Sequence, residues 1–124
     1  VLLRAGRVRR LPPNVHALDR VPLDRALRHA TAFVHHGGSG GLLQALAAGV
    51  PQLVTPGIAD RRHNATVLAR TGAGIGAETR HVTAAVLGRL VHDPALRSAA
   101  EEWRHRIDAL PAPSTALPLL VHEG

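Results

Sequence analysis

Cysteine, methionine, tyrosine and lysine are all missing from this chain of 124 residues. Without cysteine there is no disulfide framework, no thiolate nucleophile and no cysteine-ligated zinc, and the composition favours an intracellular, cytoplasmic protein. Without lysine, the phosphate-binding signature that ends in Gly-Lys-Ser/Thr is impossible. Phe33 and Trp103 are the only phenylalanine and tryptophan. No run approaches the roughly 20 apolar residues of a membrane span, and no signal peptide with a charged start and an apolar centre is visible.

All 15 basic residues are arginine, which leaves a formal net charge of +6. A balance of that size attracts anions, whether nucleic acid, acidic lipid or a phosphorylated small molecule. A nucleic-acid binder adds exposed aromatics or concentrates its charge, and here the aromatics are few and the arginines dispersed, so no nucleic-acid partner is expected. Exclusive arginine with abundant alanine, glycine and proline reflects a GC-rich coding genome. The length suits one domain with one core. The chain opens on Val1 inside an apolar run, so residues 1–124 read as an incomplete domain with an upstream segment expected.

Short apolar runs alternate with helical patterns, the signature of βαβ units and a parallel sheet. Strands are expected at Val1–Leu3, Val15–Leu18, Thr31–Val34 (buried), Gln52–Thr55 and around Ile75. Leu23–Arg28 makes a short helix. Leu42, Leu43, Leu46 and Ala47 mark a second, stopped by Gly49 and Pro51, and Ala65–Ala69 mark a third, ended by Gly72. Thr83 caps Ala84–His92. Asp93 caps a last long helix with Pro94 in its first turn, running to about Leu110 with Leu96, Trp103, Ile107 and Leu110 towards the core. Pro111 and Pro113 break it, Ser114 or Thr115 starts a final turn, and apolar Leu117–Val121 follows. His81, His92, His105 and His122 read as surface residues.

The segment HHGGSGG, His35 to Gly41, lies between a strand and a helix, at the carboxyl edge where open α/β sheets bind ligands. A helix N-terminus has unpaired N–H groups and a partial positive charge, so it suits an anion. Gly37, Gly38, Gly40 and Gly41 let a phosphate approach the backbone closely. His36 offers a side-chain donor and Ser39 a hydroxyl. The plain alternative is a tight turn with incidental histidines. His35 reads as a packed, hydrogen-bonded residue. Adjacent histidines on a strand point to opposite faces, so His35, His36, His63 and Asp60 do not suggest a metal site. Neither the G-x-G-x-x-G spacing nor the P-loop spacing is present.

Taken in order, VHHGGSGG, LLQALAAGVPQLVTP, AD with HNA two residues on, and GAG resemble the donor-binding domain of the UDP-glycosyltransferase superfamily. The likeness is greatest to its bacterial branch that decorates antibiotics with deoxysugars. PPNVHALDRVPLDRALRHATAFV is similar to the stretch that precedes the loop in that family, and the match spans Pro12 to Gly74. The resemblance implies an α/β, Rossmann-like parallel sheet flanked by helices, the C-terminal domain of a GT-B enzyme, truncated at its N-terminus and without its acceptor-binding N-terminal domain. It implies that His36 contacts the donor diphosphate with Gly38, Ser39, Gly40 and Gly41, that Val21 meets the nucleobase through its backbone, that Asp60 binds sugar hydroxyls, and that Asn64 supports the following helix and the loop.

The chain departs from that pattern at four places. Arg20 stands where many members have an aromatic residue, and its guanidinium can stack on a base. Arg61 replaces the usual glutamine beside the sugar. Gln44 replaces a ribose-binding glutamate, which favours a dTDP-sugar over a UDP-sugar as donor. Gly41 replaces a threonine or serine. The implied partners are a nucleotide-sugar, a small hydrophobic acceptor and the N-terminal domain, which would carry the general base. No catalytic residue, metal or cofactor is expected in this chain, and alone it should be inactive and of marginal stability. The alternative reading is a non-catalytic nucleotide-binding or interaction module left by gene truncation.

Overall fold

The computed structural model describes residues 2, 3, 10–57 and 59–121. The expectations at Val1 and His122 lie outside the described residues. In chain order the elements are β1 (Leu2–Leu3), β2 (His16–Ala17), α1 (Leu23–Leu27), β3 (Phe33–His35), α2 (Ser39–Ala48), β4 (Gln52–Val54), α3 (Ala59–Thr71) and β5 (Gly74–Gly76). A 3-10 turn at Thr79–His81 follows, then α4 (Ala84–His92), α5 (Pro94–Asp108), a second 3-10 turn at Pro113–Ala116 and α6 (Leu117–Leu120).

Every strand pairing is parallel: β1 with β2, and β3–β4–β5 as a three-stranded sheet with Phe33 opposite Gln52 and Leu53 opposite Ile75. Parallel pairing requires crossovers, and the helices α2 and α3 supply them. The central strand β4 is buried at all three residues, whereas Val34 of β3 is 48% exposed. The expected buried strand over Thr31–Val34 is therefore corrected. It starts later, at Phe33, and its side chains alternate between two faces, Phe33 and His35 half-buried on one and Val34 exposed on the other.

Helix limits follow local chemistry. Thr83 Oγ1 accepts from Val86 N–H, and Asp93 Oδ1 accepts from Ala95 N–H, so both late helices have side-chain caps. Gly49 ends α2 in the left-handed conformation with φ of 70°.

The core has two parts that meet on α2. Leu42, Leu46, Val54, Ala65, Leu68, Ala73 and Ala100 form one, covered by Ala99, Trp103 and Ile107 of α5. Leu27, Ala45 and Val50 form the other, covered by Leu23, Ala30 and Phe33. Trp103 packs as a core residue, with Nε1–H donating to the Thr71 carbonyl at 3.0 Å and the Arg106 guanidinium over its ring. Leu110 was expected inward and is 66% exposed, because α5 ends at Asp108 and the helical spacing no longer carries it to the core. Leu119, Leu120 and Val121 are exposed too. Trp103→Phe keeps the packing but leaves the Thr71 carbonyl without that donor. It should lower stability by about 1 kcal/mol, read as a lower urea midpoint at unchanged slope.

Candidate functional site

The glycine loop leaves the carboxyl end of β3 and enters α2 at Ser39, with Gly38 as the N-cap. Gly38 has no side chain to satisfy the first N–H groups, and no acidic residue stands in the first turn. The amides of Ser39, Gly40 and Gly41 thus end in an uncapped, electropositive helix terminus. A methyl group at Gly40 would meet nothing within 4 Å. At Gly41 its nearest neighbours would be the Phe33 ring and the Leu23 side chain, at ordinary contact distance. The approach to the terminus is open.

The two histidines act on the two glycines that follow them. Gly37 N–H donates to His35 Nδ1 at 3.1 Å, and Gly38 N–H donates to His36 Nδ1 at 3.2 Å. The rings then diverge. His36 is exposed, and with Nδ1 engaged as an acceptor its Nε2–H is the free donor beside the terminus. His35 turns inward, stacks on Phe33 with ring centroids 4.5 Å apart, and meets Gln52 Oε1 at 2.7 Å. Gln52 is fully buried, and its Nε2–H donates to the Leu42 carbonyl at 3.1 Å.

Burial lowers the His35 pKa from its ordinary value, and the charge of His36 lowers it further, against the opposing hydrogen bond to Gln52. The unfolded chain therefore takes up this proton first as pH falls, starting near the usual imidazole value of about 6.5. The stability linked to neutral His35 is complete above that pH and is lost as pH drops through the folded value. Urea melts from pH 8 to 5 should show the decline, and His35→Gln, which cannot titrate, should flatten it.

Helix α3 closes the loop from the other side. Asn64 Nδ2 donates to the Gly37 carbonyl at 2.8 Å and to Ser39 Oγ at 3.2 Å. Gly37 is buried with φ of +94°, in the left-handed region, and a Cβ there would stand 2.9 Å from Val54 Cγ1 and 3.2 Å from both Arg61 Cβ and the Arg61 carbonyl. The structure thus gathers His36, Gly38, Ser39, Gly40, Gly41, Asn64 and the backbone of Arg61. Asp60 is exposed in the first turn of α3. Gln44 is exposed one helical turn beyond Gly40 on α2.

Arg20 and Val21 precede α1, which reaches the loop through Leu23 beside Gly41. Arg20 has φ of 54°, the one positive value at a non-glycine residue among the described residues. Val21 helps line a depression of about 550 Å³ with Leu18, Arg25 and Ala26. Another depression, about 830 Å³ and very open, runs along α5 and shares no residue with the loop. Among the described residues no three histidine, aspartate or glutamate side chains come together as a metal-binding group. None of the described helices is long and apolar enough to cross a membrane. Gln52 and its bond to His35 were missed from the sequence. The available signal was an amide side chain inside an apolar strand one pairing away from a histidine.

The fold as a whole is shared with solved glycosyltransferases. SnogD from Streptomyces nogalater superposes with a TM-score of 0.84 at 40% identity, over 98% of this chain and 34% of that one. VinC, solved in complex with dTDP, superposes with a TM-score of 0.80 at 37% identity, over 91% of this chain and 30% of that one. The fold is thus the Rossmann-like α/β domain of GT-B glycosyltransferases. The elloramycin glycosyltransferase ElmGT of Streptomyces olivaceus is 50% identical over 105 residues, 85% of this chain and 27% of that protein. This chain belongs to the "Erythromycin biosynthesis protein CIII-like, C-terminal domain" family, whose sequence profile matches residues 4–122. It spans 27% to 34% of the length of these three relatives.

Proposed function

We propose that this chain is the donor-binding part of a glycosyltransferase that moves a deoxysugar from a dTDP-sugar to a hydroxyl of a small hydrophobic natural product. The observation that carries this reading is the uncapped terminus of α2, with open space at Gly40 and the exposed His36 ring beside it. An anion is what such a site holds, and VinC, a relative of the same fold, was solved with dTDP.

In the reaction the acceptor oxygen forms a bond to the anomeric carbon from the face opposite the nucleotide, which inverts that carbon. The bond from the anomeric carbon to the diphosphate oxygen breaks, and both its electrons leave with the nucleoside diphosphate. The acceptor proton passes to a general base of the acceptor-binding domain. This chain's share is electrostatic. His36 Nε2–H and the N–H groups of Gly38 to Gly41, with the Ser39 hydroxyl, stabilise the charge that grows on the leaving diphosphate. Gly38 N–H donates to His36 Nδ1 and is the donor that must exchange partners. Val21 meets the base through its backbone and Arg20 stacks on it. Gln44 lies towards the deoxyribose, Asp60 and Arg61 towards the sugar, and Asn64 holds the loop. On this reading the general base and the acceptor site belong to the acceptor-binding domain, and residues 1–124 by themselves are expected to bind nucleotide without transferring sugar.

Calorimetric titration of the chain with dTDP and UDP tests the reading. One-to-one binding with dTDP preferred is expected. Gln44→Glu should shift the preference towards UDP by about fivefold, the worth of one hydrogen bond to the ribose 2′-hydroxyl. Binding of neither nucleotide favours the non-catalytic interaction module.

A further inference from the structure

Hydrogen-bond directions around Gln52 fix the state of its neighbours. The Leu42 carbonyl only accepts, so the Gln52 atom 3.1 Å from it is the amide nitrogen. The amide oxygen therefore faces His35 Nε2 at 2.7 Å, and since that oxygen also only accepts, Nε2 carries the hydrogen. Neutral His35 then has a lone pair on Nδ1, which receives Gly37 N–H at 3.1 Å. The directed chain runs from Gly37 N–H through His35 and Gln52 to the Leu42 carbonyl. It joins the start of the glycine loop to the first turn of α2, across the loop's own span. Asn64 takes the opposite side of the same peptide segment through the Gly37 carbonyl. Both polar groups of Gly37 are held, one by each neighbouring layer.

We infer that Gln52 and His35 are positioning residues for the anion-binding loop: Gln52 selects the Nε2–H form of His35, whose Nδ1 then holds the Gly37 amide and sets the loop for its ligand. Neither side chain touches the nucleotide. The inference rests on the donor-site reading for its ligand, while the tautomer and the hold on Gly37 stand apart from it.

Two substitutions separate positioning from mere support of a buried amide. His35→Asn keeps an acceptor near the place of Nδ1 but is too short to reach Gln52. His35→Gln reaches Gln52 with a donor but offers nothing to Gly37 N–H. A purely supporting role ranks the glutamine variant above the asparagine variant in both urea stability and dTDP affinity. Positioning reverses the second order: the glutamine variant is the more stable, yet binds dTDP about fivefold more weakly than the asparagine variant, the worth of one hydrogen bond. The same order in both measurements overturns the inference.

Ring nitrogen chemical shifts of wild-type His35 provide a check that needs no variant and no nucleotide. They should show Nε2 protonated and Nδ1 bare at neutral pH, and the reverse form overturns the inference outright. If the wild type shows the expected form yet binds neither dTDP nor UDP, the donor-site reading fails instead. Amide exchange then decides the positioning role, since Gly37–Gly41 must exchange faster in the glutamine variant than in the asparagine variant, and the opposite order overturns it.

Discussion

Replacing Gly37 with alanine is expected to destabilise the chain by about 2 to 5 kcal/mol and to remove nucleotide binding together with that stability. A residue with a Cβ costs roughly 1 to 2 kcal/mol in the left-handed region, and Gly37 has φ of +94°. Its methyl group would stand 2.9 Å from Val54 Cγ1 and 3.2 Å from the Arg61 carbonyl, so β4 or α3 has to move. Overpacking of this kind costs about 1 to 3 kcal/mol. Moving α3 also withdraws Asn64 from the Gly37 carbonyl and from Ser39. Urea melts and dTDP titration of the same preparation read both effects. Gly88→Ala, in α4 and outside the loop, is the control, because its methyl group meets nothing within 4 Å.

His36→Ala is expected to lower dTDP affinity about 10- to 100-fold while leaving the urea midpoint close to that of the wild type. A hydrogen bond to a charged group is worth about 1.5 to 3 kcal/mol, which sets the range. His36 is exposed, and the bond it accepts, from Gly38 N–H, is exposed as well, so little folding energy rests on it. His36→Gln, which presents an amide donor, should recover part of the affinity. Loss of binding without loss of stability separates His36 from Gly37, where the two fall together.

Much of this fold was legible because its punctuation is local. Thr83 and Asp93 with Pro94 start their helices as cap chemistry predicts, and Gly49 and Gly72 end theirs with φ of 70° and 76°. Tertiary placement was not legible in the same way. Nothing local to Val34 says that its strand is the edge of a sheet, and nothing in the spacing of Leu110 says that α5 stops two residues before it.

The loop was legible in part for the same reason. Strand, glycines and helix follow one another within seven residues from His35 to Gly41, and helix-end physics alone marks an anion site there. Asn64 and Asp60 came only through the ordered likeness to a family, since Asn64 lies 23 positions after Gly41 and no periodicity joins them. Gln52 was passed over because its strand reads as apolar. Its partner His35 lies 17 residues earlier, and the bond between them exists only once β3 and β4 are paired in register.

The most direct test is amide chemical-shift mapping of the chain as dTDP is added. Saturable changes are expected to concentrate at Gly38, Ser39, Gly40 and Gly41 and at Val21, and in His36→Ala to need about 10- to 100-fold more dTDP. Changes that fail to saturate, or that centre on the open face of α5 between Pro94 and Ala109, would contradict the donor-site reading.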